Sequence, residues 1–309
     1  MLYSTTASDF LYLRQNINTK NLNGSDSSLA SLFLLQPKYD IELCVEDAVL
    51  FRRYHGKQNR LGWGFPIPLQ TAGETYLRSA IAYILEQSAK ENIMPQFCLC
   101  TQEQKNQIDA CLSKYFSSYS AEWNTNRDDS DYLYLTQNLA TLSGPNYQKK
   151  RNHVSRFNRI YGTDWEFKTF PEYDIADDIM FVADTWFTEK DGPENEALIL
   201  EHESIRTALD NAELLNMRGG VVYIHGKPAA MTLASPVSDS VLDVHFEKAV
   251  AEHEPNGVFA IVNNQFAKTC TDYLYINREE DMGVEGLRKA KLSYKPTTVL
   301  DKFYGTVTK

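Results

Sequence analysis

The chain has 309 residues, 43% hydrophobic and 12% aromatic, which excludes a disordered protein and allows two domains of ordinary size. Its formal net charge of −10 argues against a general nucleic-acid-binding surface, and no DNA partner is expected. No apolar run approaches the roughly 18 residues of a membrane span, and the start "MLYSTTASDF" lacks the regions of a secretory signal, so we expect a cytoplasmic protein with no membrane span.

The charge is distributed unevenly along the chain. Residues 172–213 carry thirteen acids and two bases, so the rest of the chain is close to neutral. Residues 146–160 contain five Lys or Arg and no acid, and residues 287–303 contain five bases and one acid. A polyanion would meet such a local basic patch and not the average charge of the protein.

The cysteines are odd in number and form no CxxC motif, which favours reduced thiols over a disulfide framework. Cys98 and Cys100 alternate in "FCLCT", which predicts that they share one face of a strand as buried, inert thiols.

Hydrophobic periodicity predicts alternating strands and helices in the first half of the chain. In order, these are two strands in "YDIELCVEDAVLFRRY" with a turn near Asp47, a helix in "ETYLRSAIAYILEQSAKEN", a strand in "PQFCLC", a helix in "QEQKNQIDACLSKYF", a strand in "DYLYL", a basic helix after Pro145 and a strand in "DWEFKTF".

The second half of the chain repeats this order of elements. Helices are predicted in "IADDIMFVADTWFTEK" and "ENEALILEHESIRTALDNAELL", then strands through residues 219–249 with turns at "HGKP" and "SPVSD", a helix in "GVFAIVNNQFAKTC", a strand in "DYLYI", a helix in residues 277–296 and a last strand in "TTVLDKFYG". "DYLYL" and "DYLYI" are each followed by a basic helix and a strand. The sequence therefore predicts an α+β fold of two domains, residues 1–168 and 169–309.

The segment "NREEDMGVEGLRKAKLSYKP", residues 277–296, begins with acids and ends with bases. At helical spacing Leu287 and Tyr294 share one side, and Arg288 and Lys291 form a cationic stripe beside them. One interpretation is a solvated amphipathic helix. The other is the floor of a site, because half-buried cations need anionic partners or an anionic ligand.

Three stretches carry a family resemblance: "YINREEDMGVEGLRKAKLSYKPTTVLDKF", "LATLSGPNYQKKRNHVSRF" and "VHFEKA". Together they resemble the C-terminal catalytic domain family of phosphatidylglycerol lysyltransferase, over residues 20–305. The resemblance implies two tandem GNAT-like (acyl-CoA N-acyltransferase-like) domains, each a mixed sheet flanked by helices. It also implies similarity to Fem-type aminoacyltransferases, which take an amino acid from aminoacyl-tRNA. Since no membrane-embedded portion accompanies this sequence, a transferase fold is implied more firmly than a lipid acceptor.

The place where GNAT enzymes hold the pyrophosphate of acetyl-CoA corresponds to the start of the helix after Gly257. Here Glu252 and Glu254 precede that glycine, and carboxylates would repel a pyrophosphate at a helix N-terminus. Acetyl-CoA is therefore disfavoured as a donor, aminoacyl-tRNA is the possible donor, and no cofactor is firmly implied. The "EHE" triplets have no spacing typical of a metal site, and no GxSxG, HExxH or GxGxxG motif supports hydrolase, zinc-protease or dinucleotide chemistry.

Aminoacyl transfer needs a carboxylate for the α-ammonium group, cations for phosphate and a donor for the tetrahedral oxyanion. Glu247, Glu279 and Asp281 are the candidates for the ammonium, and Glu247 is expected to share a strand face with His245. The predicted catalytic residues are Glu247, Asp281 and Arg288. The predicted substrate-binding residues are Lys150, Arg151, Asn152, His245, Lys248, Asn277, Arg278, Glu279, Lys291 and Tyr294.

Structural interpretations of the same residues stay open, because Glu247 could form an internal ion pair and His245 could be a buried structural histidine. The first functional hypothesis is an aminoacyl-tRNA-dependent acyltransferase acting on an amine or hydroxyl. The alternatives are a non-catalytic protein that binds an anionic ligand in the same cleft, and a CoA-dependent N-acetyltransferase. The expected partner is an anionic small molecule or a tRNA 3′ end.

Overall fold

The structure is a computed structural model that describes residues 6–190 and 192–309. The α-helices are α1 (Ala7–Asn16), α2 (Leu29–Leu34), α3 (Gln36–Tyr39), α4 (Tyr76–Lys90), α5 (Gln102–Tyr115), α6 (Thr136–Thr141), α7 (Gln148–Tyr161), α8 (Ala176–Glu189), α9 (Glu196–Asp210), α10 (Ala212–Leu215), α11 (Val258–Thr269) and α12 (Glu285–Leu292). Short 3-10 helices lie at Ser25–Ser27, Lys57–Asn59, Arg127–Asp129, Pro145–Tyr147, Gly192–Glu194 and Ala251–Asn256. Within the described ranges, no helix has the length and apolar character needed to cross a membrane.

The strands lie among these helices, in part as consecutive strands without a helix between them. They are β1 (Ile41–Glu46), β2 (Val49–His55), β3 (Leu61–Trp63), β4 (Ile67–Pro68), β5 (Gln96–Cys100), β6 (Ser120–Thr125), β7 (Asp131–Leu135), β8 (Trp165–Phe170), β9 (Arg218–Ile224), β10 (Lys227–Ser238), β11 (Val241–Ala249), β12 (Tyr275–Asn277), β13 (Thr298–Leu300) and β14 (Phe303–Thr308).

The chain forms two compact units that do not follow a simple division into halves. The first unit comprises the chain up to Asp131 together with Glu280–Gly283 and Leu300–Lys309, and the second comprises Tyr132–Glu279 and Val284–Val299. The end of the chain thus contributes to both units. The sequence predicts a boundary between residues 168 and 169 because the order of elements repeats there. That duplication stays a prediction.

The sheet of the first unit has the strand order β1-β2-β3-β5-β14-β6, with β4 paired to β2. Its pairs are antiparallel except for β3 and β5, which run parallel where Trp63 faces Phe97. The β1–β2 hairpin turns at Asp47 and Ala48, both with positive φ, as a type I′ hairpin turn requires. Helices α4 and α5 cover one face of this sheet through an apolar cluster that includes Ile84.

The sheet of the second unit has the order β13-β7-β12-β11-β10-β9-β8. Strands β11 and β12 run parallel, whereas β12–β7, β11–β10, β10–β9 and β9–β8 are antiparallel. Phe157 of α7 and Ile261 of α11 pack against Ala249 and Val222 on one face. Two mixed sheets flanked by helices confirm the predicted α+β class.

Several predicted elements differ in their limits. Strand β10 continues through Pro236 to Ser238, so the turn expected in "SPVSD" comes only after this strand. The strand expected at "DYLYI" begins at Tyr275, and the helix expected over residues 277–296 is confined to α12. "TTVLDKFYG" contains two strands, β13 and part of β14, and these belong to different sheets.

The five cysteines are free thiols. Cys98 and Cys100 do not share a face as predicted: Cys98 packs with Tyr54, and Cys100 packs with Phe97 in another cluster. Leu99 between them has φ +57°, which interrupts the alternation of the strand. Burial raises the pKa of Cys100 to about 12, which keeps this thiol protonated and unreactive.

The first unit contains a buried cluster of four charges. Arg52 Nη1 lies 2.9 Å from Asp26 Oδ2, Lys302 also contacts the Asp26 carboxylate, and Lys302 Nζ lies 3.2 Å from Asp131 Oδ2. The Arg52 and Lys302 side chains are 0% and 1% exposed. Burial alone would raise the pKa of Asp26, but Lys302 and Arg52 hold it below its ordinary value. Two cations therefore balance two carboxylates out of contact with water.

Replacing Lys302 with methionine should leave two buried carboxylates with one cation. We expect Lys302→Met to lower the free energy of unfolding by about 3–5 kcal/mol at pH 7, measured by urea denaturation. The exposed Lys20→Met is the control and should change it by no more than about 0.5 kcal/mol.

The difference between parent and Lys302→Met should narrow as the pH falls below about 4. A depressed Asp26 pKa stabilises the parent above the unfolded-state pKa, and this contribution is lost as the carboxylate becomes protonated. A Lys302→Met variant as stable as the Lys20→Met control would show that Lys302 is not needed to compensate the two buried carboxylates.

Candidate functional site

The candidate site of the second unit lies where two parallel strands separate. Strands β11 and β12 pair only along Val241–Asp243 and Tyr275–Asn277, and β11 then continues to Ala249. The buried Asn277 side chain accepts a hydrogen bond of 2.8 Å from the Glu279 N–H, and Glu279 has φ +55°. The chain therefore turns sharply directly after β12, and Arg278 and Glu279 leave the strand end beside the free part of β11.

A bulge at His245 changes the phase of β11. Leu233 of β10 lies opposite Phe246, whereas the next residue, Ala234, lies opposite Val244. His245 therefore has no residue opposite it, and the alternation of faces along β11 shifts by one residue at this point.

This shift separates Glu247 from His245. Glu247 lies opposite Thr232, two residues before Ala234 on the uninterrupted β10, so it shares the face that α7 and α11 cover. His245 instead contacts Asp243, which lies opposite Ser235 on the other face. The prediction that Glu247 and His245 point the same way is wrong, because it assumed regular alternation.

One charged cluster, the Glu247 cluster, consists of Lys150, Glu247, Arg278 and Tyr294. Arg278 Nη2 lies 2.7 Å from Glu247 Oε1, and the two side chains are 13% and 12% exposed. Lys150 Nζ of α7 lies 3.5 Å from the centroid of the Tyr294 ring, and the Arg278 guanidinium lies 5.0 Å from the same centroid. A carboxylate, two cations and an aromatic ring thus form one half-buried group.

Burial lowers the pKa of Lys150 to about 8, with a further contribution from Arg278 that Glu247 partly opposes. A substantial fraction of Lys150 is therefore a neutral amine at slightly alkaline pH. Burial raises the pKa of Tyr294, so its phenol stays protonated. Within this cluster, Lys150 is the group best able to accept a proton.

A second cluster, the His245 cluster, consists of Ser235, Asp243, His245 and Glu279. His245 Nε2 lies 2.7 Å from Ser235 Oγ, and its Nδ1 lies 3.1 Å from Glu279 Oε1 and 3.6 Å from Asp243 Oδ2. The imidazole is 3% exposed. Asp243, His245 and Glu279 could also offer one ligand atom each to a metal ion, since these atoms lie within 4.8 Å of one another. Both ring nitrogens of His245 already contact protein groups, which accounts for its burial.

Lys291 of α12 fixes the turn after β12. Its ammonium donates to the backbone carbonyls of Arg278 and Glu279, with 3.1 Å to the Glu279 oxygen, and its own carbonyl accepts a hydrogen bond of 2.9 Å from the Tyr134 hydroxyl. Lys291 is 7% exposed, whereas its neighbour Lys289 is exposed. The solvated-helix interpretation of this segment is therefore wrong for Lys291. Arg288, predicted to be catalytic, is half-buried in the same helix.

Two predicted residues of α7 are directed elsewhere. Arg151 donates hydrogen bonds to the carbonyls of Leu142 and Gly144, at 2.5 and 2.6 Å, and thereby holds the loop before α7. Asn152 is exposed and accepts a hydrogen bond of 3.0 Å from Gln148. Neither side chain contacts the Glu247 cluster through these interactions.

Lys248 and Asp281 also lie away from the Glu247 cluster. Lys248 Nζ is 2.8 Å from Glu201 and 3.7 Å from the centroid of the Trp186 ring, on the sheet face that α8 covers. Asp281 belongs to the first unit, where its carboxylate lies 3.6 Å from the Arg127 guanidinium. Their predicted roles in substrate binding and catalysis stay predictions.

Sequence reasoning missed Asp243, Ser235 and Tyr134. The first could have been found from "DVH", in which an acid and a histidine alternate on a strand just before the bulge. Ser235 comes from the neighbouring strand, and Tyr134 from β7, so only the pairing of the sheet brings them to the site.

The start of α11 is the helix start expected from the sequence to match the pyrophosphate-binding position of GNAT enzymes. Gly257 has φ +97°, and a Cβ there would lie 2.9 Å from the carbonyl oxygen of His153 in α7. A backbone carbonyl therefore lies against this helix start, and Glu252 and Glu254 precede it. Both features place negative charge where a pyrophosphate would need hydrogen-bond donors.

The sequence model of the family described as Phosphatidylglycerol lysyltransferase, C-terminal, matches residues 18–305. A conserved protein of unknown function from Bacteroides thetaiotaomicron is 28% identical, with 98% of each chain covered and a TM-score of 0.85. The C-terminal domain of a candidate lysylphosphatidylglycerol synthetase from Agrobacterium fabrum is 12% identical over 97% of this chain and 92% of that chain, with a TM-score of 0.63.

An uncharacterised protein of Mycoplasmoides gallisepticum is 22% identical over 210 residues, which cover 65% of this chain. The match spans 66% of that relative's length. At 12% identity the Agrobacterium domain shows a shared fold and nothing further.

Lys291 and Lys289 offer a matched pair for testing the turn after β12. Lys291→Met should cost about 1–3 kcal/mol in the free energy of unfolding, because two partly buried carbonyls lose their donor. Lys289→Met, two residues away in the same helix, should change it by no more than about 0.5 kcal/mol. Equal stability of the two variants in urea denaturation would contradict the role given to Lys291.

Lys150→Met should change how stability depends on pH. The folded-state pKa of Lys150 is about 8, below the unfolded-state value near 10.4, so the unfolded chain binds the extra proton between these limits. The stability of the parent relative to Lys150→Met should therefore rise from pH 8 to pH 10, as measured by denaturation at each pH. A difference that stays constant over this range would exclude a lowered pKa.

Proposed function

Because the chain belongs to the family of phosphatidylglycerol lysyltransferase C-terminal domains, we propose that it is an acyltransferase that uses aminoacyl-tRNA as donor. It moves the aminoacyl group to an amine or hydroxyl acceptor. The observation that carries this proposal is the Glu247 cluster, in which a carboxylate, a guanidinium and a lysine with lowered pKa meet at the edge where β11 and β12 separate.

The Glu247–Arg278 pair matches the two polar ends of an aminoacyl ester. Such an ester carries an ammonium group on the carbon next to its carbonyl, so the two charges of the pair can engage both groups at once. Glu247 binds the ammonium, and Arg278 donates to the carbonyl oxygen as negative charge develops on it. Both side chains are mostly shielded from solvent, which strengthens each interaction.

Lys150 accepts and returns the proton of the reaction. The acceptor N–H or O–H attacks the ester carbonyl while the neutral Lys150 amine takes its proton. When the tetrahedral intermediate collapses, the bond from the carbonyl carbon to the ribose oxygen breaks, and the Lys150 ammonium protonates that oxygen. The donor leaves as uncharged tRNA and the amine is restored. A pKa near 8 suits both steps at slightly alkaline pH.

The His245 cluster does not contact the substrate and acts by positioning the turn that carries Arg278. It holds Glu279 through His245, and Lys291 holds the adjoining carbonyls of Arg278 and Glu279. Contacts from His245 and from Lys291 thus hold the turn that carries Arg278, and this keeps the Arg278 side chain beside Glu247.

The test is a transfer assay with tRNA carrying a radiolabelled amino acid, and with ethanolamine and glycerol as small acceptors. The parent rate should rise with pH, reach half of its maximum near pH 8 and level off above that pH, because neutral Lys150 is the active form. Lys150→Met and Lys150→Arg should both lower the rate by about 10²–10⁴-fold at pH 8, since neither side chain can take a proton. The exposed Lys268→Met on α11 is the control and should keep the parent rate.

Two results would count against the proposal in different ways. If Lys150→Arg keeps the parent rate and pH profile, Lys150 supplies positive charge and not proton transfer. If the parent binds the charged tRNA but never accelerates loss of its ester with either acceptor, the protein is a non-catalytic binding protein.

A further inference from the structure

Helix α7 carries a basic stripe on the side opposite its core contacts. Its buried residues include Phe157 and Tyr161, which lie on the face that packs into the sheet. Lys149, Arg156 and Arg159 are exposed and, at 100° per residue, lie within an arc of about 80° on the side away from the core contacts. We name these three cations the basic stripe.

The basic stripe has no internal counter-charge. Helix α7 contains no acid, and the three side chains form no ion pair with any carboxylate in residues 6–190 and 192–309. His153 of the same helix has a pKa lowered by partial burial and then by Lys150 and Arg156, as expected in a positive potential. What distinguishes these three cations is that they lie together on one helix without any acid, and so form a local positive patch in a protein of net charge −10 that a polyanion can bind.

The two sides of α7 have different tasks. Lys150 reaches the Tyr294 ring of the Glu247 cluster, while the basic stripe faces outward from the same helix. From Lys149 to Arg159 the stripe extends about 15 Å along the helix, long enough to meet several successive phosphates of a nucleic-acid strand. A strand bound there would have its backbone beside the helix that supplies Lys150.

We propose that the basic stripe of α7 binds the phosphate backbone of an RNA whose 3′ end enters the Glu247 cluster. This inference rests on the proposed function, since it identifies where the RNA part of the donor lies. A lipid surface fits less well: Phe157 and Tyr161 are buried in the core, and the one large apolar side chain that α7 exposes is Ile160, whereas an interfacial amphipathic helix inserts a whole apolar face into the bilayer.

The experiment measures binding of uncharged, fluorescently labelled tRNA by anisotropy between 50 and 200 mM NaCl. The stripe variant is Lys149→Gln/Arg156→Gln/Arg159→Gln. The control variant, Lys20→Gln/Lys227→Gln/Lys268→Gln, removes the same charge from exposed positions that also form no ion pair within residues 6–190 and 192–309. If the stripe variant loses its fold, as judged by circular dichroism, the single Arg156→Gln and Lys268→Gln variants replace the two triples.

We expect the stripe variant to bind at least tenfold more weakly than the parent and its slope of log affinity against log salt to fall by about 2–3, one phosphate contact per lost cation. The control should stay within about threefold of the parent, since it loses only long-range attraction. Equal weakening of the two triples, or an unchanged salt slope in the stripe variant, would overturn the inference.

Two further results separate this inference from the proposed function. The binding assay uses tRNA that carries no amino acid and therefore does not depend on acyl transfer. Stripe-dependent binding in this assay, together with no transfer in the other, would support the basic stripe as an RNA-binding surface and contradict the proposed reaction. Transfer that proceeds equally well with the stripe variant would retain the reaction and overturn the surface. Stripe-dependent binding to phosphatidylglycerol vesicles, with no binding of tRNA, would show that the stripe serves a lipid surface.

Discussion

The arrangement of the second unit at its charged edge depends on one buried ammonium group. Lys291 donates to the carbonyls of two consecutive residues, Arg278 and Glu279, where the chain leaves β12. An ammonium removed from water needs hydrogen-bond acceptors, and here two backbone carbonyls accept its hydrogen bonds. These bonds hold the backbone in a turn in which Glu279 has a positive φ. The side chains of Arg278 and Glu279 then reach opposite faces of β11, one to Glu247 and the other to His245. A single cation therefore sets the positions of both charged clusters.

The Glu247–Arg278 pair is better explained by a role in the proposed reaction than by a contribution to folding stability. A largely buried ion pair returns little net free energy, because desolvation of the two charges offsets most of their attraction. Its value lies in holding a carboxylate and a guanidinium in fixed positions before any substrate arrives. Lys150 contributes in the opposite sense, since burial disfavours its charged form and makes proton transfer accessible near pH 8. The cost of desolvating these groups is offset by the apolar packing of α7 and α11 on the same face.

Much of the fold could be predicted from the sequence because periodicity, turn residues and segment length are local signals. The strand pairs around Asp47 and the long helices were of this kind. What alternation could not predict were the places where a strand breaks its own period. A bulge at His245 and a positive φ at Leu99 both shift the following residues to the other face, and neither has a Gly that would mark it. Likewise, the buried Lys302 and Asp26 are far apart in sequence and meet only in the folded unit.

The same limits apply to the candidate site. Composition and charge pattern were enough to name Lys150, Glu247 and Arg278 as candidate site residues, because a basic helix and a charged strand end can be recognised in the sequence. They could not show that Arg151 is engaged with the loop carbonyls before α7, since a backbone acceptor leaves no trace in side-chain patterning. Nor could they show that Asp281 lies in the other compact unit from Glu247, because the chain passes from one unit to the other between Glu279 and Glu280.

A crystal structure with a stable donor analogue tests the central claim most directly. A suitable analogue is an adenosine whose 3′ position carries the amino acid through an amide instead of an ester, which cannot transfer its acyl group. The account predicts the analogue's ammonium within hydrogen-bonding distance of the Glu247 carboxylate, its carbonyl oxygen at the Arg278 guanidinium and Lys150 Nζ beside the carbonyl carbon. An analogue bound on the opposite face of β11, against His245 and Glu279, would contradict it.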